Sequence, residues 1–194
     1  MLFSINRIAP AIEMAVDELH QNNLKYADSR CDISAAMNEA INLYIEGTVH
    51  LFLGPVCDYS VAPVARQVKF WNIPLITAGA MARDFVFSRS SEYPLLTRVG
   101  PVNFSSLSMF FVKFFEYSKW KKLKILYEKS GHGDVFEDYC HLMVTAIHYD
   151  ILDMASWIKQ DYFKLDEEYD LGQILGKEVG LSFGGRKYLS LLCV

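Results

Sequence analysis

The chain has 194 residues, of which 52% are hydrophobic, and its formal net charge is −4 at pH 7. This hydrophobic content excludes a disordered chain, because disorder combines low hydrophobicity with high net charge. The mildly acidic balance does not predict the basic stripe that nucleic-acid-binding proteins carry, so we expect no nucleic-acid partner.

Hydrophobic periodicity predicts helices and strands that alternate along the first half of the chain. Apolar residues recur at helical spacing over 7–22 and Ser34–Glu46, and Gly47 ends the second helix. The apolar run Val49–Leu53 predicts a buried strand. The further predicted elements are a helix over 60–71, a strand over Pro74–Thr77, a loop over Gly79–Tyr93 and a strand over Leu95–Val99. This alternation predicts a parallel sheet that is flanked by helices.

The same alternation resumes after Gly100 and Pro101, which end the last of these strands. Residues 103–118 predict a helix whose aromatic stripe packs in a core. The stripe consists of Phe104, Leu107, Phe110, Phe111, Phe114 and Phe115. The later predicted elements are strand Leu123–Tyr127, helix Val135–Tyr149, strand Met154–Ile158, helix Asp170–Val179 and strand Tyr188–Cys193. We expect a boundary near Gly100-Pro101 or in the helix after it, so that residues 1–101 and 102–194 form separate parts of the fold.

Four cysteines lie far apart in the sequence and permit three pairings. They are Cys31, Cys57, Cys140 and Cys193. Their spacing suggests two local pairs, whereas four free and buried cysteines in a reduced compartment remain the alternative. Neither C-x-x-C nor H-x-x-x-H spacing occurs, so we expect no zinc site.

No set of residues in the chain predicts catalysis. Gly131 and Gly133 lie between a predicted strand and a predicted helix, but the third glycine of a G-x-G-x-x-G fingerprint is replaced by Phe136. His141 and His148 are seven residues apart on one predicted helix, where solvated or capping histidines are favoured over metal ligands. The metalloprotease and protein-kinase signatures are absent. We expect no enzymatic activity in this chain.

The segment Gly54–Arg66 joins a strand to a helix through a turn that contains Gly, Pro and Cys. Backbone N–H groups point outward at such a turn, and α/β folds bind ligands there. The segment contains Gly-Pro-Val-Cys and Ala-Pro-Val-Ala-Arg, and Trp-Asn-Ile-Pro over 71–74 and Thr-Ala-Gly-Ala over 77–80 follow it. Together these motifs resemble the ectodomain of the natriuretic peptide receptors, a family of receptor guanylate cyclases and clearance receptors.

The resemblance implies a clamshell of the periplasmic-binding-protein type I class, in which each lobe is a parallel sheet flanked by helices. This chain would be a fragment, namely the membrane-distal lobe without its first strand and part of the second lobe. Residues 1–7 lack the features of a signal peptide. No apolar run approaches the ~20 residues that span a bilayer. We therefore expect that the full-length parent presents this region outside the plasma membrane, through a transmembrane helix absent from this chain.

The resemblance also implies roles for individual residues. It implies the disulfides Cys31–Cys57 and Cys140–Cys193. Tyr59 and Arg66, with Asp32 as a further candidate, would contact a peptide hormone. The family's chloride ion would bind the Val56 and Cys57 amides and the Ser29 hydroxyl; no other cofactor is expected.

Bland alternatives stand beside these roles. Arg66 could form a surface salt bridge with Asp58 beside a half-buried Tyr59, and the turn before the helix could be an ordinary tight turn. Asn103 begins the single N-x-S/T sequon, which requires secretion to be glycosylated.

The resemblance implies a hormone-binding region of a receptor guanylate cyclase or clearance receptor. In that family a peptide binds between two ectodomains, so we expect a homodimer whose ligand or dimer faces include the helices at 34–46 and 60–71. Ligand binding would be transmitted to cyclic GMP signalling in the full-length protein. The alternatives are a soluble small-molecule-binding or enzymatic α/β domain, and a truncated product without function.

Overall fold

The computed structural model describes residues 10–11, 13–14, 24–100, 103–135, 137–166, 168–180 and 188–193. The chain divides into two compact units. The first contains the described parts of 1–80, 87–101 and 134–136, and the second contains those of 81–86, 102–133 and 137–194. The lobe bounds 1–101 and 102–194 stay a prediction. Most of the helix predicted over 7–22 lies outside the described residues. Within that range, residues 10, 11, 13 and 14 are described, and they are helical.

Two helices form one layer of the first unit, and both confirm predicted helices. Helix α1 spans Ile33–Ile45, and helix α2 spans Asp58–Trp71. The side chain of Asp32 caps α1 by accepting a hydrogen bond from the Ala35 N–H at 2.7 Å. Gly47 follows α1 with φ +73°, a left-handed conformation that glycine adopts without a steric penalty.

Three parallel strands form the sheet of the first unit, in the order β1-β2-β3. They are β1 Phe52–Leu53, β2 Leu75–Thr77 and β3 Leu96–Arg98. The core between this sheet and the helices consists of apolar side chains that are almost entirely buried. It includes Val61, Val64, Ala65, Val68, Leu75 and Leu96.

The prediction of a buried strand over Val49–Leu53 is wrong in extent and in burial. Only Phe52 and Leu53 form a strand, and Leu51 and Leu53 are exposed. Strand β1 is at the edge of the described sheet, and alternate side chains of a strand point to opposite faces. Phe52 therefore packs against the sheet's helical layer, where its ring centroid is 6.1 Å from that of Trp71.

The loop predicted over Gly79–Tyr93 contains two short helices. Helix α3 spans Asp84–Phe87, and helix α4 spans Arg89–Glu92. The Glu92 N–H donates to the Ser88 carbonyl at 2.8 Å, which closes the turn of α4. Each helix has only four residues, which is too short for an apolar periodicity to reveal it.

The second unit contains a parallel sheet in the order β5-β4-β6. Its elements are α5 Phe104–Ser118, β4 Lys122–Glu128, α6 Tyr139–Met154, β5 Lys159–Leu165, α7 Leu171–Ile174 with a π-helical turn Leu175–Val179, and β6 Tyr188–Cys193. The predicted strand Met154–Ile158 is wrong. Ala155 caps α6 through a bond to the Ile151 carbonyl, and the next strand begins at Lys159. The sequence resembles a strand here because Ala155 and Ile158, which lie in the turn between α6 and β5, are both buried apolar residues.

The aromatic stripe of α5 is only partly a core face. Phe104 and Phe115 are buried, as predicted, but Phe110 is 60% exposed. Its ring instead stacks beside Phe114, at a centroid distance of 6.2 Å. The six residues of the predicted stripe cover more of the helix surface than one buried face can hold. The buried face of α5 instead includes the small residue Ser108.

Each unit contains one of the two disulfides that the resemblance implies. Cys31 is joined to Cys57, and Cys140 is joined to Cys193, with Cα–Cα distances of 5.5 Å and 5.7 Å. The first links the starts of α1 and α2, and the second links α6 to β6. Within the described residues, no helix is long and apolar enough to cross a membrane, and no group of metal-ligating side chains is assembled.

Candidate functional site

The turn between β1 and α2 is held by hydrogen bonds from the end of β2. The Gly54 N–H donates to the Ile76 carbonyl at 2.8 Å. Thr77 Oγ1 donates to the Pro55 carbonyl at 2.6 Å and accepts from the Gly79 N–H at 3.0 Å. These bonds fix the position at which α2 leaves the sheet.

Gly79 is required by the close approach of this turn. A Cβ atom at Gly79 would lie 1.8 Å from the carbonyl oxygen of Val56, a distance that no real side chain adopts. Two strand ends can therefore approach each other only because residue 79 has no side chain. The Thr-Ala-Gly-Ala motif thus supports the turn before α2.

Asp58, in the first turn of α2, points into the protein and is only 4% exposed. Its negative charge acts on Arg98 at the end of β3. Burial lowers the pKa of Arg98, and the charge of Asp58 opposes that lowering. The Arg98 Nη1 also donates to the Gly100 carbonyl at 2.7 Å. Asp58 is therefore a buried carboxylate whose charge acts on the partly buried Arg98, and it does not belong to the outer face of α2.

The outer face of α2 carries Arg66, which is 46% exposed and lies beside α4. Its Nε atom is 3.4 Å from Glu92 Oε2. Lys69, one turn later on α2, approaches the same carboxylate oxygen at 3.8 Å and donates to the Ser91 carbonyl at 3.1 Å. The sequence alternative paired Arg66 with Asp58, whereas the ion pair that the structure describes for Arg66 is the one with Glu92.

A buried aromatic ring supports the guanidinium group of Arg66. The Cζ atom of Arg66 lies 5.1 Å from the ring centroid of Tyr93, whose side chain is fully buried. This distance is within the range of a cation–π interaction. The contact places the guanidinium group of Arg66 against the ring, and its N–H groups remain hydrogen-bond donors of the kind that bind carbonyl and carboxylate oxygens.

The other predicted peptide contacts lie at the starts of the two helices. Tyr59 is seven residues before Arg66 on α2, so the two side chains share a helix face about 10 Å apart along the axis. Tyr59 is half-buried. Asp32 is exposed, and its Oδ1 atom already caps α1 through the Ala35 N–H. A ligand contact by Asp32 would therefore use the remaining acceptor capacity of the carboxylate.

The predicted chloride residues lie around the Cys31–Cys57 disulfide. Cys57 is the N-cap of α2, and its carbonyl accepts from the N–H groups of Ser60 and Val61. Ser29 is two residues before Cys31, and its carbonyl accepts from the Asp32 N–H at 2.9 Å. The disulfide thus links the Ser29 segment to the Val56–Cys57 turn. Successive amides at a helix start can bind an anion, and chloride binding here stays a prediction.

The sequence interpretation missed the residues that position Arg66. Glu92 and Tyr93 lie in the stretch predicted as a loop, and their proximity to α2 comes from the tertiary fold. The acidic and aromatic residue types were visible in the sequence. No local spacing links them to Arg66, which is 26 positions before Glu92.

Comparisons with known proteins settle the family. Residues 7–155 match the model of the ANF receptor family, the receptor family ligand binding region. The chain belongs to this family. Human atrial natriuretic peptide receptor 3 is 30% identical over 162 residues, which cover 76% of this chain and 29% of that protein. Rat atrial natriuretic peptide receptor 2 is 35% identical over 102 residues, which cover 49% of this chain and 10% of that protein.

Membership in the ANF receptor family makes this chain a ligand-binding region with a periplasmic-binding-protein type I fold. The α/β architecture with parallel sheets and flanking helices confirms the predicted fold class. The matched region is a ligand-binding one, which agrees with the expectation that the chain itself is not catalytic. The chain spans less than a third of the length of the curated relatives it matches.

Proposed function

We propose that this chain is part of the extracellular hormone-binding region of a natriuretic-peptide-receptor-like protein. In this proposal the outer face of α2 binds a peptide through Arg66 and Tyr59. The observation that carries the proposal is Arg66, an exposed arginine on this face whose guanidinium group lies against the buried Tyr93 ring. The names of the relatives, which are atrial natriuretic peptide receptors, support a peptide hormone as the ligand class.

Arg66 suits this role because its side chain is exposed and its guanidinium group is positioned by Tyr93 and Glu92. Arginine and tyrosine are both enriched among residues that dominate binding energies at interfaces. Arg66 and Lys69 both approach the carboxylate of Glu92, so two cationic side chains lie close together on this surface. Cationic N–H donors of this kind bind the carbonyl or carboxylate oxygens of a peptide.

The remaining roles follow from the same proposal. Asp32 would form an ion pair with a basic group of the peptide and would still accept the hydrogen bond from the Ala35 N–H that caps α1. A chloride ion at the Val56 and Cys57 amides, with the Ser29 hydroxyl as a further donor, would rigidify the turn that carries Tyr59. The exposed sides of α1 and α2 would also provide the face for a homodimer.

In this proposal the region lies on the extracellular side of the plasma membrane in the full-length protein. Peptide binding would then be transmitted to cyclic GMP signalling if the parent is a guanylate cyclase, or would remove hormone if it is a clearance receptor.

The proposal is tested with the oxidised chain and atrial natriuretic peptide as the probe. A peptide map that links Cys31 to Cys57 first establishes the native pairing. Hydrogen exchange is then measured with the peptide, with a scrambled-sequence peptide and without any peptide. We expect slower exchange in fragments that cover α2 and α4 with the native sequence only. Saturable binding without protection of α2 would contradict the proposed site, and no binding by the natively paired chain would contradict the proposed ligand.

A further inference from the structure

The sequon Asn103-Phe104-Ser105 covers the cap and the first turn of α5. Asn103 is the N-cap in an extended conformation, and Phe104 and Ser105 are the first helical residues. Both helical residues are buried, with Ser105 only 7% exposed. A serine hydroxyl that is buried in this way is expected to form a hydrogen bond inside the protein.

The Ser105 hydroxyl makes no hydrogen bond within the part of the chain that the structure describes. Its Oγ atom is buried, and within the described residues it has no hydrogen-bond partner. By contrast, the buried hydroxyl of Ser108 on the same helix donates to the Phe104 carbonyl at 2.9 Å. A buried hydroxyl without a partner is destabilising, so alanine would suit position 105 better on stability alone. Such a group requires an explanation outside the packing of the helix.

The side chain of Asn103 is arranged as a glycosylated asparagine would need to be. Its Oδ1 atom accepts the Ser106 N–H at 2.6 Å, which caps α5. A glycan is attached to Nδ2, so glycosylation leaves this capping oxygen in place. Asn103 itself is partly exposed, whereas the two residues that follow it are not.

We propose that Asn103 is an occupied N-glycosylation site and that the Ser105 hydroxyl is retained for recognition of this sequon. In the reaction a C–N bond forms between Nδ2 and the first sugar of a lipid-diphosphate-linked oligosaccharide. The bond from that sugar to the diphosphate breaks, and the amide loses one proton as the lipid diphosphate leaves. Ser105 is buried once α5 has packed, so the modification precedes folding of the second unit.

The test uses the full 194-residue chain, translated behind a cleavable signal peptide in the presence of microsomes. We expect a slower-migrating species that endoglycosidase H converts to the unmodified one. Asn103→Gln and Ser105→Ala should abolish this species. Ser105→Thr, which keeps the hydroxyl group of the sequon, should still produce it. A translocated, signal-cleaved chain without the slower species would overturn the proposal, and this result does not depend on whether the chain has folded.

A second measurement tests the argument from the orphaned hydroxyl. Refolded, unglycosylated Ser105→Ala should melt at the same temperature as the unglycosylated parent chain or at a higher one. A lower melting temperature would show that the hydroxyl stabilises the fold, and this outcome would overturn the assignment. Both measurements are independent of peptide binding, so their failure would not bear on the hormone-binding proposal.

Discussion

The guanidinium carbon of Arg66 lies 5.1 Å from the centre of the buried Tyr93 ring. The same guanidinium is 3.4 Å from Glu92, and both members of that ion pair are more than 40% exposed. Exposed ion pairs contribute at most about 1 kcal/mol, and exposed cation–π contacts contribute a similar amount. These contacts position Arg66 but contribute little to the free energy of unfolding. A residue whose role is in binding is expected to contribute little to stability.

The first prediction separates the capping role of Asp32 from its proposed ligand role. Asp32→Ala removes the hydrogen bond to the Ala35 N–H and should lower the free energy of unfolding by about 1 kcal/mol. Asp32→Asn keeps a good capping side chain and removes the charge, so its unfolding curve should match that of the parent chain. Denaturant unfolding measures both effects.

Binding of atrial natriuretic peptide then distinguishes the two roles. If the charge of Asp32 meets the peptide, Asp32→Asn weakens affinity although the protein is fully stable. Parent-like affinity in this variant would remove Asp32 from the site and leave it as a helix cap.

The second prediction concerns the glycine that supports the turn before α2. Gly79→Ala would place a methyl group against the Val56 carbonyl, so we expect a loss of more than about 3 kcal/mol in unfolding free energy. Gly176→Ala is the matched control, because a Cβ at Gly176 meets no atom within 4 Å. Thermal unfolding measures both variants. Equal stability of the two would show that residue 79 does not approach the Val56 carbonyl as closely as described.

The third prediction is a pH dependence in the second unit. Burial alone would lower the pKa of Lys124, but hydrogen bonds to the carboxylates of Asp161 and Glu178 raise it above its ordinary value. A lysine with a raised folded-state pKa contributes its full stability below the unfolded value of about 10.4, and loses it as the pH rises through the folded value. Stability should therefore fall on the alkaline side of pH 10.4.

Lys124→Met provides the comparison for this effect. The Lys124 side chain is only 12% exposed, so removal of its ammonium group should cost about 1–3 kcal/mol at neutral pH. The variant should also lose less stability than the parent chain between about pH 9.5 and pH 11.5. Tyr127 and Tyr139, whose pKa values burial raises, contribute to the alkaline loss in both proteins. Identical alkaline slopes for the two would refute the role of Lys124.

The sequence predicted the long elements well because their apolar faces repeat. Val61, Val64 and Val68 recur at helical spacing, and all three are buried where α2 meets the sheet. It failed where burial depends on neighbours in space. Leu53 resembles a core residue but lies on an edge strand, and Phe110 extends an apolar stripe that is wider than the buried face of α5.

The candidate site was predictable only in part, for the same reason. Tyr59 and Arg66 were found because a linear motif carries them along one helix. Glu92 and Tyr93 reach Arg66 through the packing of α4 beside α2, and no spacing rule records that contact. The effect of the buried Asp58 charge on Arg98 likewise requires the sheet to bring β3 near the start of α2.

The most direct test of the central claim is the affinity of Arg66→Ala for atrial natriuretic peptide. The control is Lys113→Ala, which removes an exposed positive charge from α5 in the second unit. Arg66→Ala should bind at least about tenfold more weakly than the parent chain, a difference of about 1.4 kcal/mol. Its circular dichroism and melting temperature should stay close to those of the parent chain, and Lys113→Ala should bind as the parent chain does. Unchanged affinity of a folded Arg66→Ala variant would contradict the assignment of this face of α2 as the hormone-binding surface.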